Sequence, residues 1–220
     1  MNNKKFNISR FAIPKTLSQL VYENLKESIL NKELEPNQRI NEREIAEKLQ
    51  ISRTPVREAL MRLATEGFVE IFSHRECLVK EISYKELKER FQVIRVLDRL
   101  AASLIFDQIN SQGLTKLEKM TKKMERYYNM REFKQFLDIN YIIHGKLWDY
   151  LTEKNNFLQK ELHVCINQIK MCIHPLKNAL EDPEIIKKSM NAHKEIMGAI
   201  KKKNKAKLET IIFEHWILPF

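Results

Sequence analysis

The chain has 220 residues, with 39 Lys and Arg against 29 Asp and Glu, a formal net charge of +10 and a pI near 9.4, a balance that favours a polyanionic partner such as nucleic acid. Its four glycines exclude a Gly-rich phosphate loop, a dinucleotide fingerprint and a nucleophile elbow. Its three cysteines form no CxxC pair, which fits a reducing compartment, and no apolar run is long enough to cross a bilayer.

Residues 1–15 mix basic, polar and apolar side chains up to Pro14 and read as a flexible arm. Leu17, Val21, Leu25 and Ile29 recur at helical spacing and predict a first helix that ends before Glu35-Pro36. From Asn41 to Gly67 the pattern is two short helices joined by a tight turn. Asn41 can cap the first, with Glu44 completing a capping box and Ile40 and Ile45 a hydrophobic staple. Ile45, Ala46 and Leu49 give that helix its apolar stripe.

Ser52 or Thr54 can cap the second helix, and either choice puts Pro55 in the first turn, where its missing N–H costs little. Val56, Ala59, Leu60 and Leu63 form one stripe; Arg53 and Arg57 lie together, about a quarter-turn away from it. A short helix with a buried back and two guanidiniums near its N-terminus suits the major groove of DNA, where Arg donates two hydrogen bonds to O6 and N7 of guanine. An arginine-bearing helix on the solvated face of a bundle is the alternative. Phe68–Ile71 and Cys77–Val79 read as two strands around the tip Ser73-His74-Arg75, a wing whose His74 and Arg75 can meet the DNA backbone or the minor groove. The charge excess does not mark this region, because residues 1–80 hold only 14 of the 39 basic side chains and 11 of the 29 acidic ones.

Val79 to Tyr84 is a short linker without Gly or Pro. Beyond it only helices are expected, over Glu86–Asp107, Thr115–Tyr128, Arg131–Leu151, Phe157–Ile173, Pro183–Lys202 and Lys205–Trp216. Lys201 to Lys205 reads as a solvated basic turn. Asn140 and His144 share one helix face; His193 lies beside Ile196, Met197 and Ile200, and His215 beside Ile211 and Ile212. Three histidines on the apolar faces of three helices can converge as a nitrogen-rich metal site. Taken singly, each is better read as a hydrogen-bonded core histidine. No HExxH motif and no carboxylate on the same face accompany them, which speaks against hydrolytic catalysis.

The order helix, helix–turn–helix, wing, with the run ISRTPVREALMRLATEGFVEI, resembles the DNA-binding domain of the GntR superfamily of bacterial transcription regulators over residues 17–80. The resemblance implies that Arg43, Arg53 and Arg57 contact DNA, with Ser52 and Thr54 beside them. Two positions depart from the family pattern, which has Gly in the inter-helix turn and after the wing arginine. Gln50 must adopt a backbone conformation that Gly takes more cheaply, and Glu76 sets a negative charge near phosphates.

The C-terminal half resembles the FCD-type ligand-binding domain of the FadR branch, and with about six helices is closest to the VanR-type subgroup. Many members hold a metal through a D/N-x-x-x-H pair and two later histidines, which implies Asn140, His144, His193 and His215 as ligands of a divalent transition metal, with zinc ahead of nickel or manganese. Asn140 departs from the commoner Asp, and its neutral amide is a poorer ligand for a cation. The resemblance further implies a small carboxylate effector. Arg95 occupies a family position that can face the effector cavity, and Lys170 is a candidate second cation; a salt bridge from Arg95 to Asp98, or simple solvent exposure, is the plain alternative for each.

The expected protein is therefore mainly α. It has an arm at 1–15, a winged helix–turn–helix with a small β wing at 16–80, and an all-α bundle for effector binding and dimerisation at 81–220. It is expected to be a cytoplasmic, nucleoid-associated homodimer, not an enzyme, that represses by binding a near-palindromic double-stranded operator. The alternatives are a metal-free effector-responsive regulator, a pure metal sensor and, behind both, a metalloenzyme.

Overall fold

The computed structural model describes residues 15–72, 76–172 and 182–216. The chain divides into two compact units at Lys80/Glu81. The first carries three helices and a small sheet; the second, among the described residues, is entirely helical.

In the first unit, α1 (Leu17–Leu30) starts where Thr16 accepts a hydrogen bond from the Gln19 N–H. It buries Val21, Tyr22 and Ile29, whereas Leu17 is turned outward at 55% exposure. Tyr22 takes the inward place expected of Leu17 because its ring is covered while its hydroxyl donates to Glu66 at 2.6 and 2.7 Å. Helix α2 (Glu42–Leu49) is capped by Asn41, whose Oδ1 accepts from the Arg43 N–H. Glu44 accepts from the Asn41 side-chain amide at 2.8 Å, so it holds the capping side chain itself instead of reaching the backbone N–H of a capping box. Ala46 is buried, but Leu49 is 49% exposed and leaves the expected stripe.

Between the helices Gln50 sits at φ 53°, ψ 42°, in the left-handed region, as its place in the turn requires. Helix α3 (Arg53–Thr65) then buries Val56, Ala59, Leu60 and Leu63, the four positions read from its periodicity. It packs on both α1 and α2. Gly67, at φ 74°, turns the chain into the sheet. Two strands are expected and three are present: β1 (Arg39–Ile40), β2 (Val69–Ile71) and β3 (Cys77–Val79), antiparallel in the order β1-β3-β2. With two residues, β1 is too short to show an alternation in sequence. The wing tip, with His74 and Arg75, lies outside the described residues.

The second unit contains α4 (Tyr84–Ile105), α5 (Ser111–Asn129), α6 (Phe133–Trp148), α7 (Asn156–Cys172), α8 (Pro183–Lys201) and α9 (Lys205–His215). Helix α4 packs on α7 and α9, α5 packs on α6 and α8, and α8 on α9. The core holds Ile94, Met124, Phe136, Ile143, Trp148, Leu162 and Ile169. Ser83 and Glu86 form a reciprocal capping box that fixes the start of α4. Along α4 the buried face carries Asp98 among Leu87, Ile94, Ala101, Ala102 and Ile105, and Leu104 is 38% exposed. No helix among the described residues is long and apolar enough to cross a membrane.

Gln50→Gly should raise the unfolding free energy by about 1 kcal/mol, because the left-handed conformation costs other residues about 1–2 kcal/mol and glycine's greater freedom in the unfolded chain returns only part of this. Denaturant titration of both proteins checks it; an unchanged or lower midpoint would show that Gln50 carries no strain.

Candidate functional site

Two groups of side chains stand out, one in each unit. On the first unit Arg43, Ser52, Arg53, Thr54 and Arg57 are all exposed, on the outer side of α2, the turn and the start of α3. Ser52 caps α3 without a side-chain hydrogen bond, which leaves its hydroxyl outward. Two of the guanidiniums are held by carboxylates: Arg57 donates from Nε and Nη2 to Glu42 at 3.1 and 2.9 Å, and Arg43 donates from Nε to Glu47 at 2.6 Å. Arg53 makes no ion pair among the described residues. The Glu42 clamp spans 15 residues of sequence and carries no signal in the spacing.

In the second unit, α6 brings in Asn140 and His144, α8 brings His193, and α9 brings His215 at its last turn. One nitrogen from each imidazole lies within 4.8 Å of the other two. The rings of His144 and His215 stack at 5.1 Å and 15°, and His193 stands edge-on to both at 5.3 and 4.6 Å. Nδ1 of His193 faces the Ser189 carbonyl at 2.9 Å, which turns its Nε2 inward. That atom, His144 Nε2 and Asn140 Oδ1 are all buried without a hydrogen-bond partner. Buried acceptors left unpaired are costly, and a metal ion is the kind of partner that satisfies several at once. These donors fit one.

The far side of His144 holds a residue that sequence reasoning placed elsewhere. Asp98, 1% exposed, accepts from Trp148 Nε1 at 2.5 Å and from Trp216 Nε1 at 2.7 Å. Its Oδ2 lies 3.0 Å from His144 Nδ1, without the alignment of a straight hydrogen bond. It makes no pair with Arg95, whose guanidinium instead lies 3.7 Å over the Phe213 ring.

A cavity of about 470 Å³ opens beside the histidines, lined by Asn140, Ser189 and His215 on its polar side and by Phe91, Ile186 and Trp216 on its apolar side. Lys188, Glu195 and Glu214 also border it. Neither Arg95 nor Lys170 does. The Lys170 ammonium sits 5.1 Å from the ring of Tyr141, itself a lining residue.

Two family models match the chain, that of the bacterial regulatory proteins of the gntR family over residues 17–79 and that of the FCD domain over residues 89–217. The chain belongs to the GntR family. As a member it is a DNA-binding transcription regulator, and its relatives are regulators, not enzymes. It is 27% identical to the uncharacterised regulator YdhC of Bacillus subtilis, over 89% of this chain and 85% of that one. With McbR of Escherichia coli it shares 24% identity over 86% of its length and 85% of the relative's. The solved McbR structure has the same fold, with a TM-score of 0.70 over 92% of this chain and 94% of that one. A GntR regulator from Rhodococcus sp. RHA1 gives 0.72 over 90% and 93%, at 18% identity.

In this GntR regulator burial disfavours a charge on two of the three imidazoles. Burial, helped by the neighbouring His144, pushes His193 from its ordinary 6.5 down to about 3. Burial, with His193 and His144 beside it, likewise holds His215 well below its ordinary value. A group depressed on folding binds protons first in the unfolded chain, so its contribution to stability is complete above about pH 6.5 and is lost as pH falls toward 3. Chelator-treated protein should therefore lose thermal stability from about pH 6.5 downward, and His193→Asn, which has no imidazole there to protonate, should show a shallower decline. Parallel curves for the two proteins would remove His193 from this role.

Proposed function

We propose that this regulator is a cytoplasmic repressor that reads DNA with the exposed face of α3, its grip controlled by a metal-bound carboxylate in the helical unit. The observation that carries the control site is the convergence of three imidazoles, with partnerless buried nitrogens and the Asn140 oxygen, beside an open cavity. Asn140, His144, His193 and His215 would hold the metal. Three nitrogens and one neutral oxygen suit zinc first, then nickel or manganese. Such an ion supplies a Lewis-acidic positive charge with positions open to a carboxylate. The apolar wall of Phe91, Ile186, Ile211 and Trp216, with Lys188 as the only bordering cation among the described residues, favours a small monocarboxylate with an apolar body. Arg95 and Lys170 have no part in that contact.

On the DNA side, Arg43, Arg53 and Arg57 are the proposed groove and phosphate contacts, with Ser52 and Thr54 beside them and His74 and Arg75 on the wing. Arg57 would exchange Glu42 for a base edge, or meet it while Glu42 holds the guanidinium plane in place. Helix α4 leaves Val93, Val96, Leu100 and Leu104 exposed at 53, 56, 47 and 38%, a stripe at helical spacing that a second copy can cover. A two-fold dimer of this kind matches a near-palindromic operator.

Arg53→Ala and Arg57→Ala are each expected to relax base preference by about 1–3 kcal/mol per lost bidentate contact. Selection from random DNA measures it; the same preference in both variants would remove α3 from the groove. For the control site, chelated protein should gain thermal stability when zinc, nickel or manganese is restored, and again when a small monocarboxylate is added. The gain follows RT ln(1 + [L]/Kd), about 2.7 kcal/mol at a hundredfold excess over Kd. His193→Ala and His215→Ala should abolish the metal response. An acid that stabilises without metal would make this a metal-free regulator, and metal without any acid response a metal sensor.

A further inference from the structure

We propose that Asp98 supplies, through His144, the negative charge that Asn140 does not bring to the metal centre. This rests on the metal reading above. The donor set of three neutral imidazoles and an amide carries no charge, so a divalent cation among these buried groups would be uncompensated within its own ligand shell. Asp98 is the nearest remedy. It stands on α4, on the opposite side of the His144 ring from Nε2, and it is not one of the converging donors.

The environment of Asp98 makes little sense without a cation nearby. Both its oxygens act as acceptors, from Trp148 and Trp216, as an ionised carboxylate does. No Lys or Arg pairs with it among the described residues. The two arginines nearest in sequence are committed elsewhere, Arg95 over Phe213 at 3.7 Å and Arg99 at 3.6 Å from Glu209. A carboxylate 1% exposed, with two indoles and an imidazole as its neighbours and no Lys or Arg beside it, is a buried acidic group of a kind that proteins rarely keep without a positive charge nearby. A metal bound to His144 Nε2 would balance it.

Placing Asp98 against Nδ1 also selects the tautomer. With Asp98 Oδ2 3.0 Å from Nδ1, a proton on Nδ1 would leave the Nε2 lone pair free to hold a metal, as in a carboxylate–imidazole–metal triad. His193 has only a backbone carbonyl in the equivalent place, at 2.9 Å. Asp98 is thus a positioning residue for His144 and the counter-charge of the centre. The chain has two tryptophans, and both donate to this one carboxylate. Tryptophan emission, excited selectively over that of the six tyrosines, therefore reports on this node.

The test uses the full chain, with zinc affinity measured by chelator competition for the wild type, Asp98→Asn, Asn140→Asp and the double variant. Asp98→Asn is expected to weaken zinc by about 10–100-fold. Asn140→Asp should gain at least about tenfold more in that background than in the wild type, because there it replaces the missing negative charge; a purely structural role for Asp98 predicts equal gains in both. In the wild type, zinc should change tryptophan emission and saturate at one equivalent, a measurement that stands even where Asp98→Asn does not fold. Wild-type affinity in Asp98→Asn, equal gains from Asn140→Asp in the two backgrounds, or zinc uptake with unchanged emission would each overturn the assignment while leaving the metal site intact. A wild type that takes up no zinc overturns the metal reading, and this assignment with it.

Discussion

A buried carboxylate must be answered by donors, and in the helical unit that requirement ties three helices to one point. Asp98 leaves α4, Trp148 and His144 approach it from α6, and Trp216 approaches from the end of α9. Charge-assisted hydrogen bonds in a dry interior are directional and costly to break, so these contacts fix the rotation of the helices as apolar packing alone would not. His144 lies 3.0 Å from the same carboxylate, stacks on His215 and meets His193 edge-on.

Electrostatics shapes the DNA-binding unit in a different way. The family fold puts arginines on an exposed face, but Arg57 and Arg43 are bridged by Glu42 and Glu47. Exposed pairs of this kind are worth little as stability, about 0–1 kcal/mol each. Their effect is on geometry: the bidentate Glu42 contact holds a long, flexible side chain in one orientation before any partner arrives. A basic side chain ordered in advance loses less conformational entropy when it engages a base edge. The overall charge of +10 is spread over both units and favours attraction to a polyanion without selecting a sequence.

The cavity beside the histidines has a polar side and an apolar side. Its polar side is furnished by donors that α6, α8 and α9 contribute one turn or less from the imidazoles; its apolar side comes from α4, α8 and the Trp216 indole. Trp216 belongs to both systems, with its ring against the cavity and its N–H on Asp98. A ligand that moved this ring would act directly on the Asp98 contacts.

By itself the sequence determined what depends on local periodicity and spacing. The α3 stripe Val56, Ala59, Leu60 and Leu63 is buried as its period implies, Gln50 takes the left-handed turn, and the six α-helices among the described residues of the second unit lie near the expected spans. The candidate histidines were legible because each sits on an inward helix face. Tertiary structure alone decided which charges are partnered. Glu42 meets Arg57 across 15 residues, and Asp98 meets Trp148 and Trp216 across 50 and 118. It also decided that Asp98 lies inside and Leu104 outside, that Arg95 stacks on Phe213 away from the cavity, and that Arg39–Ile40 forms a strand. The reason is physical: an amphipathic period reports one helix's own burial, whereas a charged side chain takes its place from donors that only the folded chain assembles.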